Sequence, residues 1–389
     1  MNIDINNFFT PQEWQKIQEF SSQKETPFLV VLLNIVERRF NELKEAMPYA
    51  DIYYAVKANP AVEILQLLDQ LGSCFDVASV YELRILQSLN ISPERMSFGN
   101  TIKKSKDIKE FYDAGVRLYV SDSEMDLKNI AQNAPNCKVL IRILAEGVLT
   151  AAWPLSRKFG CSQEMAYDLL VMTRDLGLVP YGVSFHPGSQ QREIGAWDSA
   201  IAKVKYLYDM LLESENIKLQ CINMGGGLPS QYLDKINTTK TYGDEIKRFL
   251  TDDFGDDMPR IIIEPGRYMV ANAGVLISEI VLIARKSRTA LARWIYTDIG
   301  KFGGLMETLD ESIKYPIYTP KYAENDKEKA IIAGPSCDSV DTMYEDFQYP
   351  LPLSLEQGDR LYWLSTGAYT SSYCSVNFNG FPPLKAYYL

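Results

Sequence analysis

Eight short apolar runs recur through roughly the first 270 residues, and no other feature limits the fold as much. They lie at 52–56, 74–78, 96–98, 117–120, 139–144, 181–185, 219–224 and 260–263. Between them the apolar residues take helical spacing, as at 61–71, 79–89, 106–114 and 123–133, and several of these segments end at a Gly or Pro stop. Near-continuous apolar strands joined by helices predict a parallel sheet covered on both faces. An open doubly wound sheet is the alternative, but eight near-equal units favour closure into a parallel (β/α)8 barrel.

After about residue 270 the texture changes. Segments 275–284, 293–298, 330–333 and 360–364 read as strands, helical periodicity is scarce, and Tyr and Pro crowd together from Tyr315 to Pro320. A second, all-β domain is expected there. The charged stretch 321–329 (KYAENDKEK) is expected to be a solvated loop. Thr26-Pro27 marks the exit from an N-terminal helical segment. The expected division of the 389 residues is a barrel over 26–270, with 1–25 and 271–389 forming the β-domain.

Charge and cysteine usage exclude several functions. Forty basic against fifty acidic residues give a net charge of −10, without the basic footprint that a nucleic-acid partner requires. The N-terminus is polar and acidic, unlike a secretory signal, and the most apolar window, 27–36, is too short to span a bilayer. The six cysteines never fall two residues apart, matching neither a zinc ribbon nor a disulfide framework, so a reducing cytoplasm is the simplest home. The single histidine, His186, argues against a His-rich zinc centre, and no metal is expected.

The residues just past the end of each run carry the chemistry. In order come Lys57, Asp76, Asn100, Asp122, Arg142, His186, the glycines Gly225, Gly226 and Gly227, and the tetrapeptide Glu264-Pro265-Gly266-Arg267. Polar groups thus collect at the C-terminal ends of the strands, where barrel enzymes keep their active sites. Each alone has a plain explanation: a strand-end lysine reaches water, and Asp76 or Asn100 could cap a helix. Their joint recurrence favours a site. Lys57 directly succeeds an apolar strand, and a desolvated amine there would be nucleophilic toward an aldehyde. The glycines do not match a dinucleotide fingerprint, but their N–H groups could turn toward one phosphate, with Arg267 as its clamp. Glu264, ending the eighth strand, could hold a protonated ring nitrogen. His186, beside Ser189, suits stacking on a flat cofactor. Cys337 and Asp338 set a thiol next to a carboxylate on a turn, although most cysteines are buried small hydrophobes.

Together the motifs resemble those of the fold-type III pyridoxal-phosphate decarboxylases, the ornithine/lysine decarboxylase branch with an alanine racemase-like barrel. They are YAVKAN at 54–59, FDVAS at 75–79, SFHPGS at 184–189, MGGG at 224–227, EPGR at 264–267, CDSVD at 337–341 and GAYT at 367–370. The resemblance implies pyridoxal 5'-phosphate as cofactor, Lys57 as its Schiff-base lysine, Glu264 on the pyridine nitrogen and His186 on the ring face. It implies a phosphate site of Ser189, Gly226, Gly227, Arg267 and Tyr369, with Asp76 and Arg142 beside the imine and phenolate. It also implies a homodimer with shared active sites, in which Cys337 and Asp338 reach the partner's cofactor and Lys158 pairs with Asp341 across the interface. The family usually has a small aliphatic residue where Pro187 stands, and proline fixes φ and removes a donor.

Counting along 298–316 sets the family's substrate aspartate on Asp310, with Asp338 as the second carboxylate; Glu307 could join them or merely make the loop acidic. Two carboxylates suit a distal ammonium. The implied reaction is decarboxylation of a basic L-amino acid, ornithine to putrescine first and lysine to cadaverine next. A non-catalytic decarboxylase-like regulator, an amino-acid racemase and a diaminopimelate-type decarboxylase are the alternatives on the same fold.

Overall fold

All eight expected barrel strands are present and parallel: Ala50–Ala55, Cys74–Val77, Met96–Phe98, Leu118–Ser121, Lys138–Arg142, Val179–Ser184, Cys221–Asn223 and Arg260–Ile263. The eighth closes on the first, with Ile261 opposite Ala50 and Ile263 opposite Ile52. This computed structural model describes residues 3–145, 150–153, 158–323 and 326–389. Side chains from six of the strands fill the barrel: Tyr53, Leu118, Val120, Leu140, Tyr181, Cys221 and Ile262 form one buried cluster. The interior is therefore a packed core, and chemistry is left to the strand ends.

Local sequence sets the helices between strands. Ser79 caps helix Val80–Ser88 by accepting the Glu82 N–H, and Ser162 does the same for Gln163–Asp175 from Met165. Gly72 and Gly115, both at positive φ, come just after helices Val62–Gln70 and Ser105–Asp113 and end them.

The chain divides into two compact units. One is Glu37–Pro229 with Ile236–Met269; the other is Met1–Val36, Ser230–Lys235 and Val270–Leu389. Residues 26–36 therefore fall outside the barrel unit, contrary to the boundary expected from sequence. Strand Phe28–Val31 is buried along its whole length, a pattern that names no sheet; it lies antiparallel to Gly274–Ala284 and parallel to Lys385–Tyr388.

The second unit holds a nine-stranded mixed sheet built on the long strand Gly274–Ala284, together with helix Pro11–Ser22. The charged run is not wholly a loop. Lys327, Glu328 and Lys329 open strand Lys327–Ala333, which pairs with Tyr349–Pro352, so a ladder partner overrides their polarity. The tyrosine-rich composition has a structural use as well. Tyr344 and Tyr349 hydroxyls accept the N–H groups of Tyr315 and Ile317 and donate to the carbonyls of Ile313 and Tyr315. They thereby satisfy an irregular buried backbone. Among the described residues no helix is long and apolar enough to cross a membrane.

Candidate active site

The barrel rim brings together most of the residues singled out in the sequence. Lys57 lies in the 3-10 turn Val56–Ala58 that ends the first strand, with its Nζ 3.9 Å from Asp76 Oδ2. Its side chain is 49% exposed, so the expected desolvated amine is not found: the turn carries the side chain out of the strand at the open end of the barrel. Asp76, at the end of the second strand, is buried and accepts a hydrogen bond from Ser97 Oγ at 3.4 Å. Burial pushes its carboxyl up, against the pull of Lys57 and Arg142. Arg142, ending the fifth strand, has its pKa lowered by burial, while Glu264, Asp122 and Asp76 oppose the shift.

Glu264 and Asn223 form the second group. Asn223, the last residue of the seventh strand, donates from Nδ2 to Glu264 Oε1 at 2.5 Å and accepts the Gly225 N–H on Oδ1 at 2.9 Å. Burial, then Asp76, raises the Glu264 carboxyl to about 7, while Lys57, Asn223 and Arg142 pull it down. A carboxyl with a raised folded-state pKa keeps a proton that the unfolded chain releases, so the stability it contributes is lost as pH rises from about 4.5 to about 7. In cofactor-free protein, Tm is therefore expected to fall less between about pH 5 and pH 8 in Glu264→Gln than in the native chain. An unchanged pH slope would contradict the assignment.

His186 stands just beyond the sixth strand. Its Nδ1 accepts the Gly188 N–H at 3.1 Å, and burial, then the charges of Arg142 and Lys57, holds its pKa well below the ordinary value. The imidazole is neutral at neutral pH and presents a ring face rather than an acid. After Pro187, Gly188 takes φ 103° and Ser189 reaches Arg267. Arg267, buried at the start of the short helix Arg267–Val270, donates from Nε and Nη2 to Ser189 Oγ, both at 3.2 Å. The glycines supply room: a Cβ on Gly226 would stand 2.8 Å from Glu264 O and 3.0 Å from His186 Nε2.

This donor set fits pyridoxal phosphate. It offers an amine for the aldehyde, a carboxyl for the ring nitrogen, a neutral ring for stacking, and Arg267 with Ser189 and glycine backbone for the phosphate.

The other expected site residues lie in the second unit. Cys337 and Asp338 are exposed on the turn after strand Lys327–Ala333. Tyr369 takes φ 53° and packs against Tyr373. Asp310, at φ 50°, is exposed and makes no hydrogen bond or ion pair among the described residues. Its neighbour Glu311 accepts the Asp346 and Phe347 N–H groups, and Glu307 is buried. Lys158 is exposed with its ammonium over the Phe159 ring, whereas Asp341, its expected interface partner, is 2% exposed and already bonded within its own unit.

Two rim residues are not evident from the motifs. Asn223 is a polar residue in an apolar strand, and that contrast is the signal that could have found it. Glu82 receives the Ala78 N–H at 2.7 Å, and burial raises its carboxyl to about 7, with Asp76 and Lys57 as charged neighbours; in sequence it reads only as a helix cap.

Known proteins resemble this chain over nearly its whole length. Residues 33–271 match the family model "Pyridoxal-dependent decarboxylase, pyridoxal binding domain". The "Lysine/ornithine decarboxylase" of Selenomonas ruminantium is 32% identical over 372 residues, covering 94% of this chain and 90% of its own. "Antizyme inhibitor 2" of Xenopus laevis is 30% identical over 375 residues, covering 93% and 80%. The crystal structure of the Selenomonas ruminantium lysine decarboxylase in complex with PLP and cadaverine superposes with a TM-score of 0.85 at 28% identity, covering 100% of this chain and 95% of that one. The chain belongs to the pyridoxal-dependent decarboxylase family, with the alanine racemase-like barrel of fold type III.

Proposed function

We propose that this protein is a pyridoxal-phosphate-dependent decarboxylase of a basic L-amino acid, with ornithine as first candidate and lysine as second. The observation that carries the reading is the barrel rim itself, where Lys57 with Asp76, Glu264 with Asn223, and Arg267 with Ser189 offer one binding group for each part of the cofactor. Bound there, pyridoxal phosphate supplies the electron sink that allows a carboxyl group to leave as CO₂.

The chain's own residues do the rest. Lys57 would hold the cofactor through its aldehyde, with its amine as the nucleophile that the site supplies. Glu264, oriented by Asn223, keeps a proton on the ring nitrogen. His186 covers one ring face without exchanging protons, and Asp76 and Arg142 set the charge beside the imine and phenolate. Arg267, Ser189, Gly226, Gly227 and Tyr369 grip the phosphate. Cys337 delivers a proton to the substrate α-carbon. Asp338 and Asp310 receive the distal ammonium, which is why a basic side chain is favoured. In this reading the protein is a homodimer, and Cys337 and Asp338 serve the cofactor of the second copy.

A panel of L-ornithine, L-lysine, L-arginine and meso-diaminopimelate, ranked by kcat/KM, tests the assignment. Ornithine and lysine are expected to lead, separated by about 10–200-fold, the range one methylene allows. Preference for diaminopimelate, or appearance of D-ornithine in place of CO₂, would overturn it. No turnover with any of them would favour the regulator reading, which the likeness to an antizyme inhibitor keeps in view.

A further inference from the structure

The barrel mouth holds a polar group that the proposed chemistry does not use. Ser184 is the last residue of the sixth strand, Val179–Ser184, and is 4% exposed, yet its Oγ has no hydrogen-bond partner among the described residues. The strand ladder sets its direction. Ser184 pairs with Arg142 on one side and with Asn223 on the other. Leu140 and Cys221, two residues before each of these, belong to the cluster that fills the barrel. Strand side chains alternate between faces, and paired residues on neighbouring strands share a face. Arg142, Ser184 and Asn223 therefore all project into the barrel, at the strand ends where the candidate site lies.

Neither neighbour takes up the hydroxyl. Asn223 directs its Nδ2 to Glu264 and accepts the Gly225 N–H on its Oδ1. The Arg142 guanidinium has donors only, and none of them reaches Ser184. A buried hydroxyl without a partner is costly, and such groups are few in folded proteins. One kept among residues that suit a single cofactor points to an atom of that cofactor as its partner.

Pyridoxal phosphate offers a site four polar features: an aldehyde, a ring nitrogen, a phosphate and a phenolate oxygen. Lys57, Glu264, and Arg267 with Ser189 answer the first three. The fourth is an anionic acceptor, and a hydroxyl donor makes a short, strong bond to such an oxygen. We propose that Ser184 donates its hydroxyl to the phenolate oxygen of bound pyridoxal phosphate, and that the protein without cofactor keeps this hydroxyl unsatisfied at a cost in stability. This rests on the cofactor assigned under the proposed function.

Stability and cofactor affinity should then move in opposite directions on one substitution, which a packing role does not produce. Ser184→Ala deletes a single oxygen. In cofactor-free protein it removes the orphan group, and Tm should rise by about 2–4 °C. In titrations with pyridoxal phosphate it removes a charge-assisted bond, and Kd should rise about tenfold. A second ligand locates the contact: 3-deoxypyridoxal phosphate lacks the phenolate oxygen, so Ser184→Ala should bind it as tightly as the native chain does. Ser354→Ala is the control. Ser354 Oγ is likewise buried without a partner among the described residues but lies in the other unit, and its loss should leave the Kd of pyridoxal phosphate native.

A Tm that fails to rise in Ser184→Ala would overturn the inference, because the hydroxyl would then be satisfied without cofactor, as by an ordered water. So would an unchanged Kd for pyridoxal phosphate, a loss of affinity that persists with the 3-deoxy analogue, or an equal loss in Ser354→Ala. Protein that binds pyridoxal phosphate but releases no CO₂ would count against the proposed function alone, and the binding comparison would still decide the role of Ser184.

Discussion

Replacing Lys57 with alanine is expected to abolish both the visible absorption of bound cofactor and turnover. Lys57 sets an amine beside the buried carboxylate Asp76 on this rim, at 3.9 Å, and its half-exposed side chain lets the Nζ meet an incoming aldehyde. The fall should exceed the roughly 10²–10⁴-fold typical of losing an acid–base residue, because the covalent link to the cofactor is lost. Borohydride reduction of the native holoenzyme should fix the cofactor on the peptide that contains Lys57, and leave that peptide unmodified in the variant. Retained turnover together with a modified lysine elsewhere would remove Lys57 from the mechanism. Folding should survive the change, since so exposed a side chain contributes little packing.

The second large effect is expected from Arg267→Ala. The guanidinium is buried and directs two donors of its planar fork at Ser189 Oγ, a geometry suited to gripping a phosphate there. Charge-assisted hydrogen bonds contribute about 1.5–3 kcal/mol each, and losing a two-pronged grip should weaken cofactor binding by roughly two orders of magnitude. Titration of cofactor-free protein with pyridoxal phosphate measures this directly. Arg267→Lys should recover only part of the loss, because a point charge cannot reproduce the planar fork. Native affinity in Arg267→Ala would place the phosphate elsewhere.

The barrel is legible in the sequence because its strands are buried on both faces, and eight apolar runs with helices between them admit few other arrangements. The rim is legible for the same reason, since a polar residue at the end of an apolar run stands out. Phe28–Val31 shows where that logic stops: a strand buried along its whole length has no polar face to say which sheet receives it. Lys327–Lys329 fail in the opposite sense, because pairing with Tyr349–Pro352 decides their conformation and no local feature announces the partner.

Site electrostatics are harder to read than site membership. A lysine at the end of an apolar strand predicts a desolvated amine, yet the buried charges are those of Asp76 and Arg267, while Lys57 is half-exposed. Exposure depends on the direction in which a turn leaves its strand, which residue type alone does not encode. Glu82 is hidden because its helix-capping geometry and its nearness to Asp76 come from the same position, and only the first has a sequence pattern. The carboxylate of Asp341 accepts bonds from Lys301 and Ser336 of its own chain, which nothing in CDSVD announces.

On the proposed reading, the rim residues bind pyridoxal phosphate to decarboxylate a basic amino acid. The most direct measurement is the yield of CO₂ and of diamine from L-ornithine and L-lysine by the purified protein, loaded with cofactor and checked for its visible absorption. Equal amounts of CO₂ and putrescine or cadaverine, over many turnovers per chain, are the expected result. Bound cofactor with no CO₂ from either amino acid would contradict it.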